Sequence, residues 1–210
     1  MLGVEVFSYG GCGTNYLRRL IISGSRTNKS LFTEDQLRMR VRQRVHQRIP
    51  PLEGYRLAIY VYGDPAKSVD SMLARKQFHT MAILAGDFRL LMRQRTTRMG
   101  RVGFMPNFER NTNILKLEEH YDNWRNSDRP YDIMFVNYDS LTSTNFKGLC
   151  AELAALGVEL NEKVKNNFKP RNRSVRPFMR GIITEFNQTH ATLVSKIKRT
   201  PPYELKRATK

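Results

Sequence analysis

The chain has 210 residues, with 36 lysines and arginines against 19 aspartates and glutamates, and a formal net charge of +17. Its hydrophobic content of 40% is enough to bury a core, and no apolar run approaches the roughly 20 residues needed to cross a bilayer. The N-terminal residues lack a signal-peptide pattern, and two cysteines, Cys12 and Cys150, are too few for a disulfide framework. We therefore expect a soluble, cytoplasmic protein without membrane insertion, whose partner is anionic.

Strand-like and helix-like segments alternate along the chain. Short apolar runs predict strands over 4–8, 57–62 and 132–137. Apolar residues at helical spacing predict helices over 16–22, 34–46, 66–95, 114–125, 144–156 and 184–198, and Gly157 is a stop signal for the fifth. This order predicts an α/β fold with a central parallel sheet flanked by helices. We expect one domain over 1–200, followed by a frayed, basic C-terminal tail over 201–210.

A glycine-rich turn follows the first predicted strand. In such a turn backbone N–H groups curve around an anion, and a following helix adds its positive end. A Walker A motif is excluded because no Gly-Lys dipeptide occurs, and the glycine spacing does not fit a dinucleotide fingerprint. The turn is either a phosphate cradle or a purely structural tight turn. Its residues are Gly10, Gly11, Cys12, Gly13, Thr14 and Asn15.

The second predicted strand leads into a helix that starts at Asp64-Pro65. Lys67, Ser71 and Arg75 follow at spacings of four, which places them on one helical face. A lysine, a hydroxyl and a guanidinium near a helix N-terminus suit a phosphate monoester. The alternative interpretation is an ordinary solvated helix face.

Four segments, in chain order, resemble the sulfotransferase family, whose members transfer a sulfuryl group from 3′-phosphoadenosine-5′-phosphosulfate (PAPS) to an acceptor. FSYGGCGTNYL is similar to the family's 5′-phosphosulfate loop, and AIYVYGDPAKSVDSML is similar to its 3′-phosphate segment. PYDIMFVNYDSL resembles a later strand that ends in Tyr-Glu-Asp-Leu, and FKGLCAELAALGVELNEKV resembles the helix and Leu-Gly turn after it. The resemblance covers residues 4–168. It implies a P-loop-like sulfotransferase architecture, PAPS as cosubstrate and no metal.

The resemblance also implies roles for particular residues. The backbone N–H groups from Gly11 to Asn15 would hold the 5′ phosphosulfate, and Ser71 with Arg75 would hold the 3′ phosphate. Two cationic residues of the family pattern are missing, since its loop lysine falls on Gly11 and its arginine before Asp-Pro falls on Gly63. The family's late basic loop is only faintly matched, by Arg173, Arg176, Arg180 and Gly181.

His46 is the candidate catalytic base, because it precedes Ile49-Pro50-Pro51 much as a histidine precedes the second strand in the family. Glu34 and Asp35 are alternative bases. The other interpretation of His46 is that it is an ordinary polar residue on an arginine-rich helix, without a catalytic role. The other histidines, His79, His120 and His190, have no metal-ligand spacing.

Two arginine-rich segments, 37–48 and 89–101, carry five arginines each. They form either solvated faces or a groove for a polyanionic acceptor such as a glycan, or for nucleic acid. The sequence thus predicts sulfuryl transfer from PAPS to a hydroxyl or amine acceptor. The alternative is an inactive, sulfotransferase-like basic component of a larger assembly that is structural or binds nucleic acid. A third interpretation is a divergent P-loop kinase, which would require Mg²⁺.

Overall fold

A four-stranded sheet organises the part of the chain that the structure, a computed structural model, describes: residues 2–24, 46–52, 54–74, 115–161, 183–184 and 186–209. The strands are β1 (Leu2–Ser8), β2 (Tyr55–Tyr62), β3 (Asp132–Asn137) and β4 (Tyr203–Lys206), and they lie in that order across the sheet. β1, β2 and β3 are parallel, whereas β4 is antiparallel to β3. The α/β class and the three predicted strands are therefore confirmed.

Helices lie between successive strands of the sheet. Within the described ranges they are α1 (Thr14–Ile22), α2 (Pro65–Ala74), α3 (Leu117–Asn126), α4 (Phe146–Ala155) and α5 (Ala191–Arg199), with a 3-10 helix over Tyr138–Leu141. The stop signal after α4 is confirmed. Gly157 has φ +72°, and its N–H donates to the carbonyl of Ala154 while Val158 N–H donates to that of Leu153.

The core lies on both sides of β2, whose residues are all buried except Arg56. This explains why the strand reads as a continuous apolar run. Trp124 of α3 stacks on Tyr60 of β2, with ring centroids 4.9 Å apart, and contacts Phe7 of β1 at 4.6 Å. On α1, Arg18 is buried with its Nε 3.6 Å from the carboxylate of Glu5, so this helix is joined to β1 by charge as well as by packing.

The prediction of a frayed C-terminal tail is wrong for the residues that form β4. Tyr203, Glu204, Leu205 and Lys206 pair with β3. The preceding prolines also have partners, because Tyr62 donates its hydroxyl to the Pro201 carbonyl and Ser140 donates to that of Pro202. The last helix is shorter than predicted: a turn at His190 separates α5 from the helical residues 183–184 and 186–189.

Several predicted features lie outside the described residues. They are the helix over 34–45, the continuation of α2 beyond Ala74, both arginine-rich segments apart from 46–48, and the late basic motif at 173–181. Among the described helices, none combines the length and apolarity that crossing a bilayer would need.

Candidate functional site

The glycine-rich turn connects β1 to the N-terminus of α1 through a left-handed backbone. Gly10, Gly11 and Gly13 have φ values of 100°, 72° and 77°, which L side chains rarely adopt. Gly13 is the N-cap of α1, so no side chain caps this helix end, and its first turn contains no acidic residue. The backbone N–H groups and positive end of α1 are therefore not neutralised from within the helix.

The turn packs directly on the N-terminal part of α2. A Cβ atom at Gly11 would overlap the carbonyl oxygen of Ser68. The thiol of Cys12 lies 3.1 Å from the Ser68 hydroxyl and 3.0 Å from the Gly10 carbonyl oxygen. The predicted phosphosulfate loop and the predicted 3′-phosphate segment are thus in contact, as expected when parallel strands end at one edge of a sheet.

Tyr9 joins the ends of the first two strands. Its hydroxyl donates to the carbonyl of Gly63 and accepts from the Gly63 N–H at 2.9 Å. The Tyr9 ring is buried, and this burial raises the pKa of its hydroxyl well above the ordinary value, so it remains a neutral donor. Asp64 follows, and its carboxylate accepts from the N–H of Lys67 at 2.9 Å, which caps α2.

The predicted 3′-phosphate residues lie further along α2. Lys67 is exposed and Ser71 is partly buried, and their spacing of four places them on one face of the helix. Arg75 lies outside the described residues. Ser68 is therefore the residue of α2 that contacts the turn, and binding of a 3′ phosphate by Ser71 and Arg75 stays a prediction.

His46 lies at the end of β1, next to Ser8, the residue that is hydrogen-bonded to the glycine-rich turn at Gly10 and Thr14. Its Nδ1 is 3.0 Å from the carbonyl oxygen of Ser8 and 3.4 Å from the Ser8 hydroxyl. That hydroxyl is 2.6 Å from the hydroxyl of Thr14, the first residue of α1. Burial lowers the pKa of His46, and the hydrogen bond to the Ser8 carbonyl opposes this shift. The imidazole is therefore neutral at pH 7.

Two residues of this region were not predicted as site residues. His120 on α3 is buried, with its Nδ1 3.0 Å from the Tyr60 hydroxyl. Its pKa is lowered to about 3, chiefly because burial disfavours the charged imidazolium and in smaller part because of the nearby His46. Tyr138, directly after β3, lies so close to Gly13 that a Cβ there would overlap its ring. The spacing of His120 gives no signal, but Tyr138 belongs to the quoted NYDSL segment and follows a strand end, which could have identified it.

The two departures from the family pattern have different structural settings. Gly11 has a positive φ and no room for Cβ, so a lysine does not fit there with the present backbone. At Gly63 a Cβ would lie 3.2 Å from the Cβ of Tyr138, a close but less severe contact. The backbone of the loop therefore excludes a lysine at Gly11, whereas the structure excludes an arginine at Gly63 less strictly.

No protein-family model, curated protein or solved structure matches the chain. Within the described ranges, no group of three or more His, Cys, Asp or Glu side chains could hold a metal ion. Cys12, buried within the turn, and Cys150, partly buried on α4, are not joined in a disulfide.

Proposed function

We propose that this protein binds PAPS at the adjoining ends of β1 and β2 and transfers its sulfuryl group to a hydroxyl or amine acceptor. The observation that carries the proposal is the contact between the glycine-rich turn and α2 through Cys12 and Ser68. These two segments resemble the ones with which the family binds the two ends of one nucleotide, its 5′-phosphosulfate and its 3′-phosphate, and here they adjoin each other. The N-terminus of α1, which has no side-chain cap, lies beside this contact and directs its positive end towards it, which favours a phosphate cradle.

In the proposed reaction an acceptor oxygen or nitrogen attacks the sulfur in line, and the bond from sulfur to the 5′-phosphate oxygen breaks. The acceptor's proton passes to the neutral imidazole of His46, and adenosine 3′,5′-bisphosphate leaves with the electron pair of the broken bond. Charge that develops on the leaving phosphate is stabilised by N–H groups of the turn and by the positive end of α1. These groups take the place of the lysine that Gly11 excludes.

The proposal is tested by calorimetric titration with adenosine 3′,5′-bisphosphate, using ADP as the comparison ligand. We expect the bisphosphate to bind much more tightly, because a 3′-phosphate pocket distinguishes the two ligands. Ser71→Ala together with Arg75→Ala should weaken this binding at least tenfold. Ser195→Ala on α5, another partly buried helical serine, is the matched control and should leave binding unchanged. Absence of bisphosphate binding at millimolar concentration would contradict the proposal.

A second candidate is a sulfotransferase-like protein that is inactive and binds nucleic acid within a larger assembly. It is favoured by the exclusion of a loop lysine at Gly11 together with the net charge of +17. Binding through released counterions weakens steeply with salt. RNA binding that depends on salt, survives Ser71→Ala with Arg75→Ala, and collapses when Arg40, Arg42 and Arg44 are neutralised would favour this candidate.

A further inference from the structure

The contacts of Ser8 settle which nitrogen of His46 carries hydrogen. Its Nδ1 lies 3.0 Å from the Ser8 carbonyl oxygen, which can only accept a hydrogen bond. Nδ1 must therefore donate. Because the imidazole is neutral at pH 7, its other nitrogen, Nε2, then has a lone pair and is the basic atom.

The same contacts give a direction to the hydroxyl hydrogen bonds. The Ser8 hydroxyl oxygen accepts from the N–H of Gly10 at 3.1 Å and lies 3.4 Å from Nδ1 of His46, whose one hydrogen is donated to the Ser8 carbonyl and can be shared with the hydroxyl. Either hydroxyl could donate across the 2.6 Å between Ser8 and Thr14, and the two N–H groups beside the Ser8 oxygen favour Ser8 as the donor. Thr14 then accepts from Ser8, and its own hydrogen remains available to a ligand oxygen.

We propose that Ser8 is a positioning residue: it holds His46 with Nε2 as the basic atom and orients the Thr14 hydroxyl as a donor to the bound anion. This inference rests on the proposed function for the identity of the anion. It extends that function because Ser8 is buried and acts through His46 and Thr14. Ser8 is fully buried at the end of β1, and its hydroxyl links the first turn residue, the base and the first residue of α1.

The first test needs no ligand. Long-range ¹H–¹⁵N correlation spectra at pH 7 distinguish a protonated Nδ1 from a protonated Nε2, and the His46 signals are assigned by their loss in His46→Asn. We expect the Nδ1–H form, which is the minor tautomer of free histidine. Observation of the Nε2–H form would overturn the inference, whatever the protein binds.

The second test asks whether Ser8 acts through Thr14. The affinity for adenosine 3′,5′-bisphosphate and for inorganic sulfate is measured in Ser8→Ala, Thr14→Val and the double variant. We expect each single change to weaken binding about three- to tenfold, a range typical of one hydrogen bond, and the double variant to be no weaker than Thr14→Val. Additive losses would contradict the proposed direction of donation, as would the absence of any effect of Ser8→Ala.

Two controls separate this role from folding and from failure of the proposed function. Ser8→Thr keeps the hydroxyl and should retain the affinity of the wild type, while urea unfolding shows that each variant is folded. Sulfate binding without bisphosphate binding would reject the proposed nucleotide but leave the Ser8 arrangement intact. If neither anion shifts the amide signals of Gly10 to Asn15, the assigned role of Thr14 is overturned.

Discussion

The thiol of Cys12 lies 3.1 Å from the hydroxyl of Ser68, and this contact joins the turn after β1 to the helix after β2. The Ser68 hydroxyl also donates to the Asp64 carbonyl at 2.8 Å, so the contact reaches the start of α2. With Tyr9 bridging to Gly63, three side chains fix the relative position of the two segments. The shape of the candidate site therefore depends on packing below the turn rather than on charged residues within it.

Gly11 should be the least replaceable residue of the turn. We expect Gly11→Ala to lower the free energy of unfolding by about 2 kcal/mol or more, because it combines a positive φ with overlap of the Ser68 carbonyl. Gly11→Lys should likewise destabilise the protein rather than improve nucleotide binding. Urea unfolding measures both effects.

The matched control for Gly11 is Gly54→Ala, since Gly54 is exposed and its Cβ would meet no heavy atom within 4 Å. A change of no more than about 0.5 kcal/mol is expected there. Equal losses at Gly11 and Gly54 would contradict the close packing of the turn on α2.

Tyr9→Phe should destabilise the protein by about 1–3 kcal/mol, because it leaves the buried N–H and carbonyl of Gly63 without their shared partner. The same substitution at Tyr131 removes one bond to the partly exposed Pro51 and should have a smaller effect. Thermal or urea unfolding compares the two variants. If Tyr131→Phe proves the more damaging, the bridge through Tyr9 is not what holds the strand ends together.

The sequence predicts β2 and β3 well because both are buried on both faces and therefore have a continuous apolar run. It also predicts β1, which is buried as well although Glu5 interrupts its apolar residues. It does not predict β4, whose four residues are only partly buried and become a strand through antiparallel pairing with β3. Gly10 to Asn15 are identified as candidates by their glycine-rich motif, and His46 by its place in the family resemblance. The Cys12–Ser68 and Tyr60–His120 contacts are not predicted, since they join residues far apart in the chain, and no local pattern encodes such pairs.

Removal of β4 should unfold the protein or lower its stability sharply. A chain that stops after Thr200 loses the pairing with β3, the Pro201 contact of Tyr62 and the Pro202 contact of Ser140. A chain that stops after Lys206 keeps all of these and loses contacts such as the exposed pair between Arg207 and Asp132. We expect circular dichroism and urea unfolding to show near-normal stability only for the longer chain. Comparable stability of both truncations would mean that β4 is dispensable.

His120 is buried among Tyr9, Tyr60 and His46, and the positive charge of Arg48 acts on it as well. Its pKa is lowered to about 3, so below an ordinary pKa of 6.5 the unfolded chain takes up a proton that the folded protein does not. The free energy of unfolding should therefore fall as the pH drops from 6.5 towards 3, by about 1.4 kcal/mol per unit from this group. His120→Asn should be less stable at pH 7 but show a shallower fall in urea-unfolding free energy between pH 6 and 4.5. Identical slopes in the two proteins would show that His120 does not resist protonation in the folded state.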